Sequence, residues 1–160
     1  MAKVPVQFTL NGDEKAEFVE SGTTLLKALR DKIGDTSPKG GCQQGTCGAC
    51  SVLIDGELKL SCLIAAETCN GAAITTTAGL AEGGVLHPLQ RAFLDAFATQ
   101  CGFCTPGMLM AAKALLDHNP DPTREDVVEA ISGNICRCTG YEPIIQAVLS
   151  AARANSHTAA

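Results

Sequence analysis

The run Gly40-Gly41-Cys42-Gln43-Gln44-Gly45-Thr46-Cys47-Gly48-Ala49-Cys50 constrains this chain more than any other stretch. It sets three thiols at the spacing C-x4-C-x2-C and threads glycines between them. A regular helix or strand would aim those side chains apart, so the backbone must curl if the sulfurs are to converge. Gly40, Gly41, Gly45 and Gly48 supply the permissive backbone angles for such a curl, and they let peptide N–H groups approach sulfur.

C-x4-C-x2-C is the loop spacing of plant-type [2Fe–2S] sites, where iron takes tetrahedral sulfur and one more cysteine comes from elsewhere. Cys62 lies just beyond a short hairpin and is the best placed fourth ligand. A structural zinc site or disulfides would be the alternative, although zinc sites favour paired C-x2-C knuckles. The chain has nine cysteines, an odd number that counts against a fully paired disulfide framework. Its 160 residues suffice for one domain or two small ones. A formal charge of −5 and no basic cluster exclude nucleic acid as the expected partner. Met1-Ala2-Lys3 opens straight into an alternating segment, with no basic and apolar leader pattern and no run of membrane-spanning length, so the expected address is the cytoplasm.

Val4, Val6, Phe8 and Leu10 alternate with polar positions as in a half-buried strand, and Asn11-Gly12 turns it into a returning strand through Val19. Ser21-Gly22-Thr23-Thr24 offers caps to a helix carrying Leu25, Leu26, Leu29 and Ile33, which should stop at Gly34. Ser51–Ile54 and Glu57–Ser61 flank Asp55-Gly56, a second hairpin leading to Cys62, and 73–77 reads as a last strand. The glycine-rich stretch 78–85 then marks a domain boundary, giving residues 1–78 and 79–160. Beyond it the periodicity is helical. Pro88 sits in the first turn of a helix whose apolar face is Leu86, Leu89, Phe93 and Phe97. Thr105-Pro106 caps a second helix to about His118, Thr123 and Asp126 cap a third ending at Gly133, and Pro143 opens a fourth with Ile144, Ile145, Val148 and Leu149. The fold class is α+β, a sheet crossed by one helix and followed by a four-helix bundle. The tail from Asn155 is expected to fray.

The helical half brings four more thiols. Cys101-Gly102-Phe103-Cys104 joins its first helix to its second, and Cys136-Arg137-Cys138 joins its third to its fourth. Both pairs sit at helix–helix turns and can meet at one end of the bundle. Residues two apart on a helix face different ways, so Cys136 and Cys138 belong to the turn itself. Helix N-termini near Thr105 and Tyr141 would aim positive dipole ends at an anionic thiolate cluster. Four thiolates at this geometry would equally suit zinc.

The two sets together resemble the small iron–sulfur subunit of the molybdenum hydroxylases, the family of xanthine oxidase and carbon monoxide dehydrogenase. The matching runs are Gly41 to Cys50, Gln100-Cys101-Gly102-Phe103-Cys104-Thr105-Pro106-Gly107-Met108, and Gly133-Asn134-Ile135-Cys136-Arg137-Cys138-Thr139-Gly140-Tyr141. The resemblance spans about Val4 to about Ala152. It implies two [2Fe–2S] clusters. An outer one would be held by Cys42, Cys47, Cys50 and Cys62 in a β-grasp ferredoxin-like domain. An inner one would be held by Cys101, Cys104, Cys136 and Cys138 in the helical domain. It also implies that the inner cluster lies beside the molybdopterin of a large subunit, with Gln100 and Cys138 at the pterin, and that the outer cluster faces FAD on a medium subunit. Complexes of this kind are expected to dimerise. The implied activity is that of a wire, an oxidoreductase subunit whose substrate chemistry resides on the large subunit. A free-standing two-cluster ferredoxin is the alternative. Mean hydropathy of +0.14 with 18% charged residues favours an assembled subunit over a freely diffusing carrier.

Among the other residues, Cys69 reads as a small apolar side chain rather than a ligand. His87, His118 and His157 are scattered and carry no chemistry. Arg137 could raise the potential of the inner cluster or form a surface ion pair. Phe103 and Tyr141 read as packing that shields the inner site, and Met108-Leu109-Met110 as bundle core.

Overall fold

Two hairpins seed the sheet, and both turn where the sequence says. Asn11 and Gly12 have φ of 52° and 91°, and Asp55 and Gly56 have 52° and 84°, the left-handed pair that a tight hairpin requires. In the computed structural model, which describes residues 2–158, they join β1 (Lys3–Leu10) to β2 (Asp13–Glu20) and β3 (Ser51–Ile54) to β4 (Glu57–Leu60). A short β5 (Ala73–Thr75) lies between the hairpins, parallel to β1 and antiparallel to β3, so the order is β2-β1-β5-β3-β4. The parallel pair carries no signature in sequence, because its crossover contains the whole cysteine loop rather than one regular helix.

α1 begins as an α-helical turn at Leu25–Lys27, capped by the Thr24 side chain, and continues as a π-helical segment over Ala28–Ile33. Gly34 ends it with φ of 87°. Leu25, Leu29, Val6, Phe8, Val19, Val52 and Ile74 form the core between this helix and the sheet. β3 is buried along both faces: Val52 belongs to that core, while Leu53 joins the helical core opposite.

The helical half comprises α2 (Pro88–Asp95), α3 (Thr105–His118), α4 (Arg124–Ile131) and α5 (Glu142–Thr158). α2 packs on α5, α4 on both α3 and α5, and α3 also lies against β3 and β4. Leu89, Phe93, Met108, Met110, Val127, Ile131, Ile144 and Val148 fill the space between them. The architecture is α+β: a mixed five-stranded sheet with α1 on one face and the other helices gathered against the opposite face.

Several expectations need correction. The buried face of α2 consists of Leu89, Ala92 and Phe93; Leu86 and Phe97 are exposed, the latter at 83%. α2 has ended before Phe97, whose φ of 52° turns it away from the helical spiral. Thr105 is the first residue of α3 rather than its cap, which is Cys104. The tail from Asn155 continues α5 as far as Thr158, and Ala159-Ala160 lie outside the described residues. Among the described residues, no helix is long and apolar enough to cross a membrane.

Candidate iron–sulfur centres

The first cysteine loop runs between α1 and β3 without regular structure, as thiol convergence demands. Gly45 and Gly48 have φ of 86° and 68°, whereas Gly41 serves by its lack of a side chain: a Cβ there would lie 2.8 Å from Cys47 Sγ. Gln43 also takes a positive φ of 54°, a cost tolerated where the loop folds around its sulfurs. Backbone N–H groups line those sulfurs. Gln44 N and Thr46 N donate to Cys42 Sγ at 3.5 and 3.3 Å, and Cys42 N donates to Cys47 Sγ at 3.4 Å. Cys50 is placed by the start of β3, and Cys62 by a short turn after β4 where Ser61 Oγ donates to Cys50 C=O at 2.7 Å.

The second set is assembled from two turns. Cys101 and Cys104 precede α3, and Cys136 and Cys138 occupy the turn between α4 and α5. Thr139 binds Cys136 Sγ through its N–H at 3.5 Å and its hydroxyl at 3.1 Å. Tyr141, expected only to pack, also accepts a hydrogen bond from Cys136 N at 3.0 Å through its phenolic oxygen.

All nine cysteines are free thiols in this structure. In each set the thiols fall into two pairs. Cys47 lies close enough to Cys42, and Cys62 to Cys50, to perturb its protonation. Cys101 and Cys138 have sulfurs 3.5 Å apart, and Cys104 pairs with Cys136. Among the described residues, no group of three or more donors gathers around one metal-ion position. A single zinc needs four sulfurs about one point, while a two-iron core needs two thiolates at each end. The two-plus-two arrangement suits the two-iron core, so the residues present fit the cofactor. Cys69 is buried within the sheet core, away from both sets, as its small apolar character suggested.

Protonation differs from thiol to thiol, set by burial and by the donors around each sulfur. Hydrogen bonds from Thr46, then from the Gln44 N–H, bring Cys42 down to about 5. Burial pushes Cys50 up to about 11 and Cys104 up to about 12. Cys136, although burial opposes it, lies below the usual thiol value because Thr139 donates to its sulfur. Cys50 and Cys104 therefore need a cation beside them before they ionise near neutral pH, and metal binding releases their protons.

The two sets adjoin. A cavity of about 170 Å³ is lined on one side by Gly41, Cys47 and Ala49 and on the other by all four cysteines of the second set, with Phe103, Ile135 and Arg137. The larger cleft of about 570 Å³ between Thr23, Arg30 and Gln43 has no cysteine in its lining, and a hollow of about 460 Å³ beside Ile54 and Asn70 is lined by Cys69 alone among the cysteines. Asn134, singled out in the sequence only as part of the run Gly133 to Tyr141, is 4% exposed and donates from Nδ2 to Gly48 C=O at 2.9 Å. Its partner is 86 positions away, a distance at which spacing gives no signal. Cys101 and Cys138, which line this cavity, are exposed, and so is Gln100, which does not line it.

Comparison with known proteins agrees with this picture. Residues 8–75 match the 2Fe-2S iron-sulfur cluster binding domain model, and residues 76–149 match the [2Fe-2S] binding domain model. The chain is 47% identical over 148 residues to the nicotinate dehydrogenase small FeS subunit of Eubacterium barkeri, covering 92% of this chain and 94% of that one. It is 46% identical over 147 residues to the aldehyde oxidoreductase of Megalodesulfovibrio gigas, where the match covers 90% of this chain but 16% of the longer protein. Among solved structures, quinoline 2-oxidoreductase from Pseudomonas putida 86 superposes with a TM-score of 0.93 at 44% identity, over 97% of both chains. With two cluster-binding regions and near full-length likeness to such subunits, the chain belongs to the small [2Fe–2S] electron-transfer subunits of the molybdenum hydroxylases.

Proposed function

We propose that this chain carries single electrons from a molybdopterin on a large subunit to FAD on a medium subunit, through two [2Fe–2S] clusters. Cys101, Cys104, Cys136 and Cys138 would hold the inner cluster, with Gln100 and Cys138 at the pterin. Cys42, Cys47, Cys50 and Cys62 would hold the outer cluster. The observation that carries this reading is the pairing of thiols within each set, two for each iron of a two-iron core. Residues 1–78 form the β-grasp ferredoxin-like domain and 79–160 the four-helix domain in this proposal, and the assembled complex dimerises in the cytoplasm. When bound, the clusters supply one-electron redox chemistry. The chain supplies thiolates, N–H donors to their sulfurs and a fixed distance between the sets.

Exposure of Phe103 and Ile135, apolar side chains lining the same cavity as Cys101 and Cys138, supports a partner-covered site over a freely diffusing ferredoxin. The purified protein is expected to contain about four irons and four acid-labile sulfides per chain. Stoichiometric zinc in a colourless, fully active complex would refute the proposal. Elution of the chain alone from native extract would refute the assembled state.

A further inference from the structure

We propose that the Thr139 hydroxyl raises the reduction potential of the centre on the second cysteine set, by donating a hydrogen bond to Cys136 Sγ. The inference deepens the two-cluster reading and rests on it.

Thr139 Oγ1 lies 3.1 Å from Cys136 Sγ. The same oxygen accepts from Tyr141 N at 3.2 Å, which occupies one of its acceptor positions. A thiolate ligand carries no proton, so with iron on Cys136 the hydroxyl is the donor of the pair. The backbone bends to make this contact. Gly140 and Tyr141 have φ of 69° and 70°, and a bulky aromatic residue rarely takes that left-handed conformation. The bend brings Tyr141 N to the Thr139 hydroxyl, while the Tyr141 phenolic oxygen accepts from Cys136 N at 3.0 Å. The strained residue therefore orients the donor and fixes the acceptor at once.

Burial decides why this hydroxyl matters more than other donors. Cys101 and Cys138 are exposed, and Cys42, which receives hydrogen bonds from Thr46, is half-buried, so water can replace a donor lost at any of them. Cys136 is 7% exposed, and a donor removed there has no such substitute. An added electron makes the ligand sulfurs more negative and strengthens every hydrogen bond they accept, which favours the reduced centre. Arg137 also lies beside Cys136, but it is exposed and its charge is screened by salt, whereas the short hydroxyl contact is not.

The test is a redox titration of the iron-loaded full chain followed by low-temperature EPR, with iron content measured on the same samples. Thr139→Val keeps the branched shape and removes the hydroxyl, while Thr139→Ser keeps the hydroxyl. Thr139→Val should disfavour reduction of the second centre about tenfold, a fall of about 59 mV for a one-electron couple, at low and high salt alike. The first centre should not move, and Thr139→Ser should titrate like the parent. Full iron with a parental potential in Thr139→Val would overturn the proposal, as would equal shifts in Thr139→Val and Thr139→Ser, which mark a packing effect. Should Thr139→Val fail to load iron, Thr139→Ala decides by the same titration: a lowered second potential sustains the proposal, and a parental one overturns it. Failure of both to load, with Thr139→Ser loading fully, overturns it in favour of a purely structural hydroxyl. A parent chain with far fewer than about four irons would instead overturn the two-cluster reading on which the inference rests.

Discussion

Gly107 offers a quantitative test of how tightly the two halves meet. It lies in the first turn of α3, where alanine would ordinarily gain up to about 1 kcal/mol in helix propensity. A Cβ at this position, however, would overlap Gly48 O, and would come within 3.0 Å of Asn134 Nδ2 and 3.1 Å of Ala49 Cα. Two of those atoms are backbone, and the Gly48 carbonyl is already fixed by three hydrogen bonds. Little can yield, so the overpacking cost belongs at the upper end of the usual 1–3 kcal/mol, about 3. Subtracting the propensity gain leaves Gly107→Ala about 2 kcal/mol less stable, a fall in Tm of about 4–8 °C for a chain of this size. Gly133→Ala is the control from the same seam. A Cβ there meets nothing within 4 Å, so it should be neutral or stabilising by up to about 1 kcal/mol. Denaturant unfolding of both iron-loaded variants, with midpoint and slope compared, separates the two. If Gly107→Ala proves as stable as Gly133→Ala, the seam is looser than these distances imply and the reasoning fails.

Because Cys69 lies in the sheet core apart from both sets, Cys69→Ala should retain all iron, whereas Cys62→Ala should lose one centre; the reverse pattern in iron analysis would displace Cys62 as the fourth ligand. Thr123 and Asp126 form a reciprocal cap on α4, so Thr123→Ala should cost about 1 kcal/mol in denaturant unfolding. Hydrogen bonds from Thr123 hold the Asp126 carboxyl below its usual value, so its stabilisation is present above the ordinary carboxylate range and is lost as pH falls through the depressed folded value. Asp126→Asn should flatten that acid-side decline, and an unchanged pH profile would refute the assignment.

What the sequence revealed, and what it hid, follows from the range of each signal. Both hairpins were legible because Asn11-Gly12 and Asp55-Gly56 act on their own backbone. The cap at Thr123 was legible for the same reason. The cysteine sets were legible as sets, since short spacings within a loop limit where thiols can point. Their partition into pairs was not, because Cys50–Cys62 and Cys101–Cys138 are chosen by folding rather than by spacing. The π-helical form of 28–33 escaped notice since its apolar positions suit an ordinary helix as well. Phe97 misled because its spacing continued the apolar stripe of α2 past the point where the helix ends. Asn134 carried no warning at all: a polar residue after glycine reads as a turn, and only the fold brings Gly48 beneath it.

The boundary drawn from periodicity marks where the chain changes secondary structure, not where its packing stops. Leu53 of β3 and Leu80 of the connecting stretch belong to the helical core, and α3 rests on β3 and β4. Each fully buried leucine is worth about 1.5–3 kcal/mol, more than the net 0.5–1.5 of a single hydrogen bond, so apolar contact supplies most of the strength of the join. Apolar contact alone would tolerate sliding. The directional bonds Asn134–Gly48, Ile135–Cys47 and Thr77 Oγ1 to Pro106 C=O admit only one register. Domains joined by small polar interfaces move relative to one another by default. For a relay whose rate falls steeply with separation, such motion would make transfer intermittent. A shared core for strength and three directional bonds for register remove that freedom, and the glycines at 48 and 107 let the backbones approach closely enough for those bonds to form.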